Sequence, residues 1–190
     1  MTNLAIALIT ALQMTVTEVN QDRLRVISQD MISVVEQEFL NSSLKSGMTK
    51  EEALHILAAV AVGESNLRSD IETCKVTGDK GRSIGLGQIM RGPNWRGMTR
   101  KQICNDRQAQ LRLSLHVIDM CWEKTPNANA SLRCYTSGNS YKDSYAARHE
   151  FDLYRKISKV VSKNIVEQKI RTCSIAQNYS RDYSKFSYEL

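Results

Sequence analysis

From Ala53 to Val62 the chain carries a single polar side chain, His55. A helix that is apolar nearly all the way round cannot lie on a surface, so it has to run through a core with other elements packed on every side. Its start is marked by Thr49-Lys50-Glu51-Glu52. These residues read as a capping box, with Thr49 accepting from the third helical N–H and Glu52 reaching back. Its end is less ordinary. The apolar run stops at Gly63-Glu64-Ser65, which puts a carboxylate at the mouth of a core helix. A carboxyl shielded from water resists ionisation and titrates above its usual value of about 4.3, so it can still give up a proton near neutral pH. Position alone does not separate this reading from the commoner one, a helix-terminal glutamate that faces water.

The rest of the chain reads as a mainly helical frame. Only two prolines and nine glycines interrupt 190 residues, and strand-like alternation is scarce. Residues 1–46 form a helical extension with a broken apolar stripe that includes Val19, Ile27, Val34 and Phe39. It carries no recognisable chemistry and either extends the core or docks a protein partner. Residues 47–170 form the main domain, and residues 171–190 read as an irregular tail. Within the main domain, residues 66–84 are polar and read as a loop or small β-hairpin. Ile84–Met90 reads as a short helix or tight turn and Arg91–Trp95 as a loop. Thr99 and Asp106 read as N-caps of two further helices. Pro126-Asn127 restarts the chain into a helix through Tyr135, and residues 144–170 are helical again.

Several classes of function drop out. The five cysteines contain no CxxC and form no Cys/His cluster suited to zinc, so no metal or cofactor is expected. Their odd number leaves at least one thiol free in a monomer, with one or two disulfides open. Leu4–Leu12 is apolar but too short to span a membrane, and no Lys or Arg precedes it, as a secretory signal would require. Stable membrane insertion is therefore not expected. His55 reads as a hydrogen-bonded core histidine, and His116 and His149 have ordinary polar neighbours. The net charge of +6 favours a polyanionic partner, either nucleic acid or a bacterial wall whose stem peptides carry carboxylates. The basic residues read as spread along the chain, so no nucleic acid is expected.

After Glu64 comes Gly78-Asp79-Lys80-Gly81-Arg82-Ser83-Ile84-Gly85-Leu86-Gly87-Gln88-Ile89. Its closely spaced glycines let backbone approach a ligand or turn sharply. Gln88 offers both a donor and an acceptor, which suits sugar hydroxyl and acetamido groups. A phosphate-cradling loop is excluded, since there is no GxxxxGK[ST] pattern. Glu64-Ser65, then Gly85-Leu86-Gly87-Gln88-Ile89, then Tyr135-Thr136-Ser137-Gly138 resembles the three ordered motifs of the soluble lytic transglycosylase and goose-type lysozyme superfamily. The resemblance covers about residues 50–160. It implies a lysozyme-like, mainly α domain with a small β-hairpin, preceded here by the helical extension.

Residue by residue, Glu64 matches the catalytic acid/base and Ser65 the residue that contacts the acetamido group or assists the intermediate. Gln88 matches the subsite glutamine, and Tyr135 the tyrosine that lines the cleft near the glutamate. Asp79 matches the goose-type aspartate that helps to place water. Trp95, just after the second motif, offers a ring to stack on a sugar. There are departures. Gly87 replaces the usual methionine, which is expected to open space in the cleft. Cys134 and Thr136 replace the alanine and asparagine of the third motif, and Met90 stands where goose-type enzymes often carry a second aspartate. The implied activity is cleavage of peptidoglycan between N-acetylmuramic acid and N-acetylglucosamine, by a transglycosylase or lysozyme route. The rival is a dormant wall-binding or structural virion protein of the same fold. The missing signal points to an enzyme carried by a phage virion or delivered to the periplasm, with an exported periplasmic enzyme as the alternative.

Overall fold

The computed structural model describes residues 3–186, with side chains described for residues 3–168 and for Ile170. The α-helices among them are α1 (Asn3–Gln13), α2 (Gln21–Glu38), α3 (Lys50–Ser65), α4 (Ser69–Glu72), α5 (Arg100–Asn105), α6 (Arg107–Lys124), α7 (Ala128–Ser137) and α8 (Tyr145–Phe186). The sole sheet among the described residues pairs β1 (Ser83–Ile84) with β2 (Ile89–Met90), antiparallel, with Ser83 opposite Met90 and Ile84 opposite Ile89. The hairpin therefore lies later in the chain than expected, in the window that reads as a short helix or tight turn. Gly85, in left-handed backbone, and Gln88, also left-handed, make the reversal that lets Ile84 and Ile89 pair.

α3 is the central helix. Every residue from Ala53 to Val62 is buried, and α2, α6, α7 and α8 pack around it. Each large aliphatic side chain fully buried in this way contributes about 1.5–3 kcal/mol. The capping box is present in full: Glu52 N–H donates to Thr49 Oγ1 at 3.1 Å, and Thr49 N–H donates to Glu52 Oε2 at 2.8 Å. Thr99 and Gln102 form a second box at the start of α5, and Asp106 caps α6. His55 is a core residue, its Nδ1 hydrogen-bonded to the Ser158 hydroxyl at 3.0 Å.

Of the expected extension 1–46, residues 3–46 share this core, and residues 1–2 lie outside the described residues. Leu8, Leu12, Leu24, Ile27, Met31 and Val34 are buried in the same cluster as α3, and α1 packs along α8. Of the tail expected at residues 171–190, residues 171–186 instead continue α8 to Phe186, and residues 187–190 lie outside the described residues. Cys74 bonds Cys104, and Cys121 bonds Cys134. The second bond ties α6 to α7 and accounts for a cysteine just before Tyr135. Among the described residues no helix is long and apolar enough to cross a membrane.

Candidate active site

Glu64 lies in the last turn of α3 and looks into a cavity of about 350 Å³. Asp79, Gln88, Tyr135, Asn94 and Thr136 line the same cavity. Three of the motif residues expected to work together, Glu64, Gln88 and Tyr135, are thus brought together, and Asp79 joins them. Ser65 and Trp95 are not. Ser65 is 3% exposed, and its hydroxyl donates to Ala61 O at 2.6 Å and accepts from Leu67 N–H at 3.1 Å. Successive helical residues point about 100° apart, so the neighbour of a cleft residue turns into the core. Trp95 is 8% exposed, and its indole N–H donates to Ile89 O at 3.2 Å. Its ring closes a small core with Ile84, Ile89 and Ile103 and presents no face to the Glu64 cavity.

The backbone holds the cavity's lining in costly conformations. Asp79 (φ 48°) and Gln88 (φ 45°) are both left-handed. A residue with a Cβ takes that conformation at a cost of about 1–2 kcal/mol, and such outliers gather where a site needs them. Asp79 is pinned by the Ser83 hydroxyl, which donates to its Oδ2 at 2.6 Å, and Gln88 Nε2 donates to Gly85 O at 3.0 Å. The fully buried Gln110 of α6 fixes the hairpin from below. It accepts from Leu86 N–H at 2.8 Å and donates to Glu72 O and Ile103 O.

Gly87 does not leave the opening expected of it. A Cβ there would stand 2.1 Å from Ser114 Oγ and 2.6 Å from Tyr135 Oη. The space of the absent side chain is filled by the tyrosine hydroxyl, which donates to Gly87 O at 2.7 Å. Gly78 plays a like part for Gln88, whose Oε1 would lie 2.3 Å from a Cβ at that position.

The sequence reading missed Glu150. It lies on α8 in line with Ala147, Leu153, Ile157 and Val161, all buried, and is itself 2% exposed. Its side chain crosses to α3, where a Cβ on Gly63 would be 2.7 Å from its Cγ. Gly63 is therefore what admits it. A side-chain hydrogen bond joins Glu150 to Glu64. Among the described residues its Oε2 has no hydrogen-bond partner and neither carboxyl is in an ion pair. Burial pushes Glu150 well above the carboxylate range, and the charge of Glu64 adds to the shift. Glu64 is also raised, by burial first; the hydrogen bond from Glu150 works against this, and the charge of Asp79 adds to it. Two carboxyls in contact cannot both ionise cheaply, so they titrate as a pair that keeps one proton after ordinary carboxyls have lost theirs. Tyr135 is likewise raised well above its usual value, by burial and by the charge of Glu64.

The signal for Glu150 was a carboxylate standing on the apolar stripe of an amphipathic helix. Asn94 had no signal in the sequence, whereas Thr136 stands in the third motif beside Tyr135. Among the described residues no three of His, Cys, Asp or Glu are grouped to hold a metal ion. Compared with known proteins, the chain matches no family model, no curated protein and no solved structure.

Proposed function

We propose that this protein cleaves the glycan strands of bacterial peptidoglycan, at the β-1,4 bond between N-acetylmuramic acid and N-acetylglucosamine, in a lysozyme-like domain. The observation that carries the reading is the Glu64–Glu150 pair, a proton-retaining acid with no cationic partner among the described residues, at the wall of an open cavity. Gln88 and Tyr135 stand beside it in the motif order that resembles lytic transglycosylases and goose-type lysozymes.

Glu64 protonates the glycosidic oxygen, a form of help worth about 10²–10⁴-fold. The sugar passes through an oxocarbenium-like state. The substrate's acetamido group stabilises that state, and Gln88 orients the acetamido group. Glu64, now a base, takes a proton from the nucleophile. Attack by the muramic acid's own 6-hydroxyl gives an anhydro-sugar, the transglycosylase product. Attack by water gives a reducing end, and Asp79, held by Ser83 in the same cavity, is the group that orients that water. The two disulfides suit work outside a reducing cytosol. They support a protein carried by a virion or delivered to the periplasm, with export as the alternative route.

The test is digestion of purified peptidoglycan by wild type and Glu64→Gln, with products read by mass spectrometry. Anhydro-muramic ends from wild type alone establish the transglycosylase, and reducing ends, heavier by one water, establish the hydrolase. Equal digestion by both proteins overturns the role of Glu64. Digestion by neither overturns the cleavage itself and leaves a wall-binding or structural protein.

A further inference from the structure

The positive charge is not spread along the chain as the sequence reading had it. Between residues 75 and 101 there are seven Lys and Arg and a single acid, Asp79, so this stretch alone accounts for the net +6 of the whole molecule. All seven basic side chains are exposed, and among the described residues none is in an ion pair with a carboxylate. The fold then gathers part of this charge around a second cavity, of about 490 Å³, lined by Gly81, Arg91, Gly92, Trp95, Thr99 and Arg100.

This cavity abuts the Glu64 cavity along one piece of chain. Ile89, Met90 and Asn94 line the first, while Arg91, Gly92 and Trp95 line the second. Arg91 N–H donates to Arg82 O at 2.8 Å, which continues the hairpin and brings the two arginines to the same end of it. Arg100 donates to Cys74 O at 3.3 Å, so its guanidinium is tethered beside the Cys74–Cys104 bond. Gly92 and Gly97 face open space, with nothing within 4 Å of where a Cβ would stand. The one acid of the stretch, Asp79, is turned into the other cavity against Ser83.

We propose that Arg82, Arg91 and Arg100 form a subsite for carboxylates on the peptide branches of the glycan strand, so that the protein prefers peptide-bearing wall to bare strands. The proposal rests on the glycan-cleaving reading of the adjoining cleft. A strand lying in that cleft carries its peptides on the lactyl groups of muramic acid, within reach of a pocket sharing the same wall. Guanidinium forks match carboxylates in geometry as well as charge. A single-stranded nucleic acid would instead need aromatic platforms for its bases. Trp95, the sole aromatic residue between residues 75 and 101, is buried with its indole N–H already used.

The experiment is cosedimentation of Glu64→Gln protein, full chain, with insoluble peptidoglycan, either intact or stripped of peptides by an amidase. The same protein carrying Arg91→Gln and Arg100→Gln is run beside it. Exposed charge contacts each change binding by up to about 5-fold. Glu64→Gln is therefore expected to bind intact wall about 10-fold more tightly than stripped wall, with the difference shrinking at high salt. The arginine substitutions should erase the difference and leave binding to stripped glycan unchanged. Equal binding of the two materials by Glu64→Gln overturns the subsite while leaving the cleft reading intact. Binding to neither overturns both. Tighter binding to a single-stranded DNA oligonucleotide than to wall, lost with the same two substitutions, assigns the patch to nucleic acid and overturns the proposal.

Discussion

Glu72 and Glu64 follow one another closely in the chain and are both largely withdrawn from water, yet they keep opposite company. Glu72 ends α4 and is gripped by two arginines. Arg23 pairs with its Oε2, and Arg107 donates to its Oε1 at 2.8 Å while also reaching Asp30 at 2.8 Å. Every charge in that cluster meets its opposite, and the cluster ties α2, α4 and α6 together. Glu64 meets Glu150, another acid. The first arrangement meets a carboxylate with a cation at each oxygen and uses it as a strut. The second leaves a proton with nowhere better to go, which is the condition for an acid that acts. Withdrawal from water is common to both, so the identity of the partner separates a carboxylate used as a strut from one left to hold a proton.

The comparison is broken most directly at Glu64. Glu64→Gln is expected to slow glycan cleavage by about 10²–10⁴-fold while the midpoint of thermal unfolding holds or rises. Activity within a few-fold of wild type would remove the distinction. Glu72→Gln is the mirror experiment. It leaves Arg23 and Arg107 short of a charge and should cost roughly 2–4 kcal/mol in urea unfolding, with the cleavage rate per folded molecule nearly unchanged. A large loss of rate without loss of stability would move Glu72 into the chemistry.

Gly63→Ala tests the contact itself. Alanine in a helix interior is ordinarily favoured over glycine by about 1 kcal/mol. Here its Cβ would press on Glu150 at 2.7 Å, so the substitution is expected to destabilise by about 1–3 kcal/mol and to slow cleavage. Any gain in stability refutes the tight approach of α8 to α3.

The smallest effect is expected from Glu150→Gln, and it is read as a pH dependence. Both carboxyls are raised in the folded protein. Between the ordinary carboxylate value and the raised ones, the native state holds protons that the unfolded chain has lost. Stability therefore falls as pH climbs through that window. Glu150→Gln should flatten this slope, by on the order of 1 kcal/mol at the alkaline end. It should also move the alkaline limb of the cleavage profile to lower pH, because the proton is no longer shared. An unmoved limb would show that Glu64 sets its own acidity.

What could be read from the sequence was what is encoded locally. The Thr49–Glu52 and Thr99–Gln102 boxes are built from neighbours in the chain, and both formed. The apolar run from Ala53 to Val62 placed α3 in the core because no arrangement leaves such a helix exposed. Gln88 and Tyr135 were found through motif order, and they do share a cavity with Glu64. Ser65 belongs to the first motif and Trp95 follows the second, but adjacency in a helix or a tight turn separates side chains as often as it joins them. Glu150 escaped because its significance depends on α8 crossing α3, a long-range contact with no local trace beyond a polar residue on an apolar stripe. The clustering of charge between residues 75 and 101 was legible in the sequence and was overlooked.

α8 carries half of the acid pair, and it is made from the last part of the described chain to be synthesised. A nascent or nicked polypeptide lacking that helix still contains Glu64, the glycine run and the hairpin. It lacks the second carboxyl and the cover that α8 lays on α3. The carboxyl pair exists in this sense only once α8 has docked on α3. Partial products of translation or proteolysis would carry the motif in full and lack the carboxyl pair.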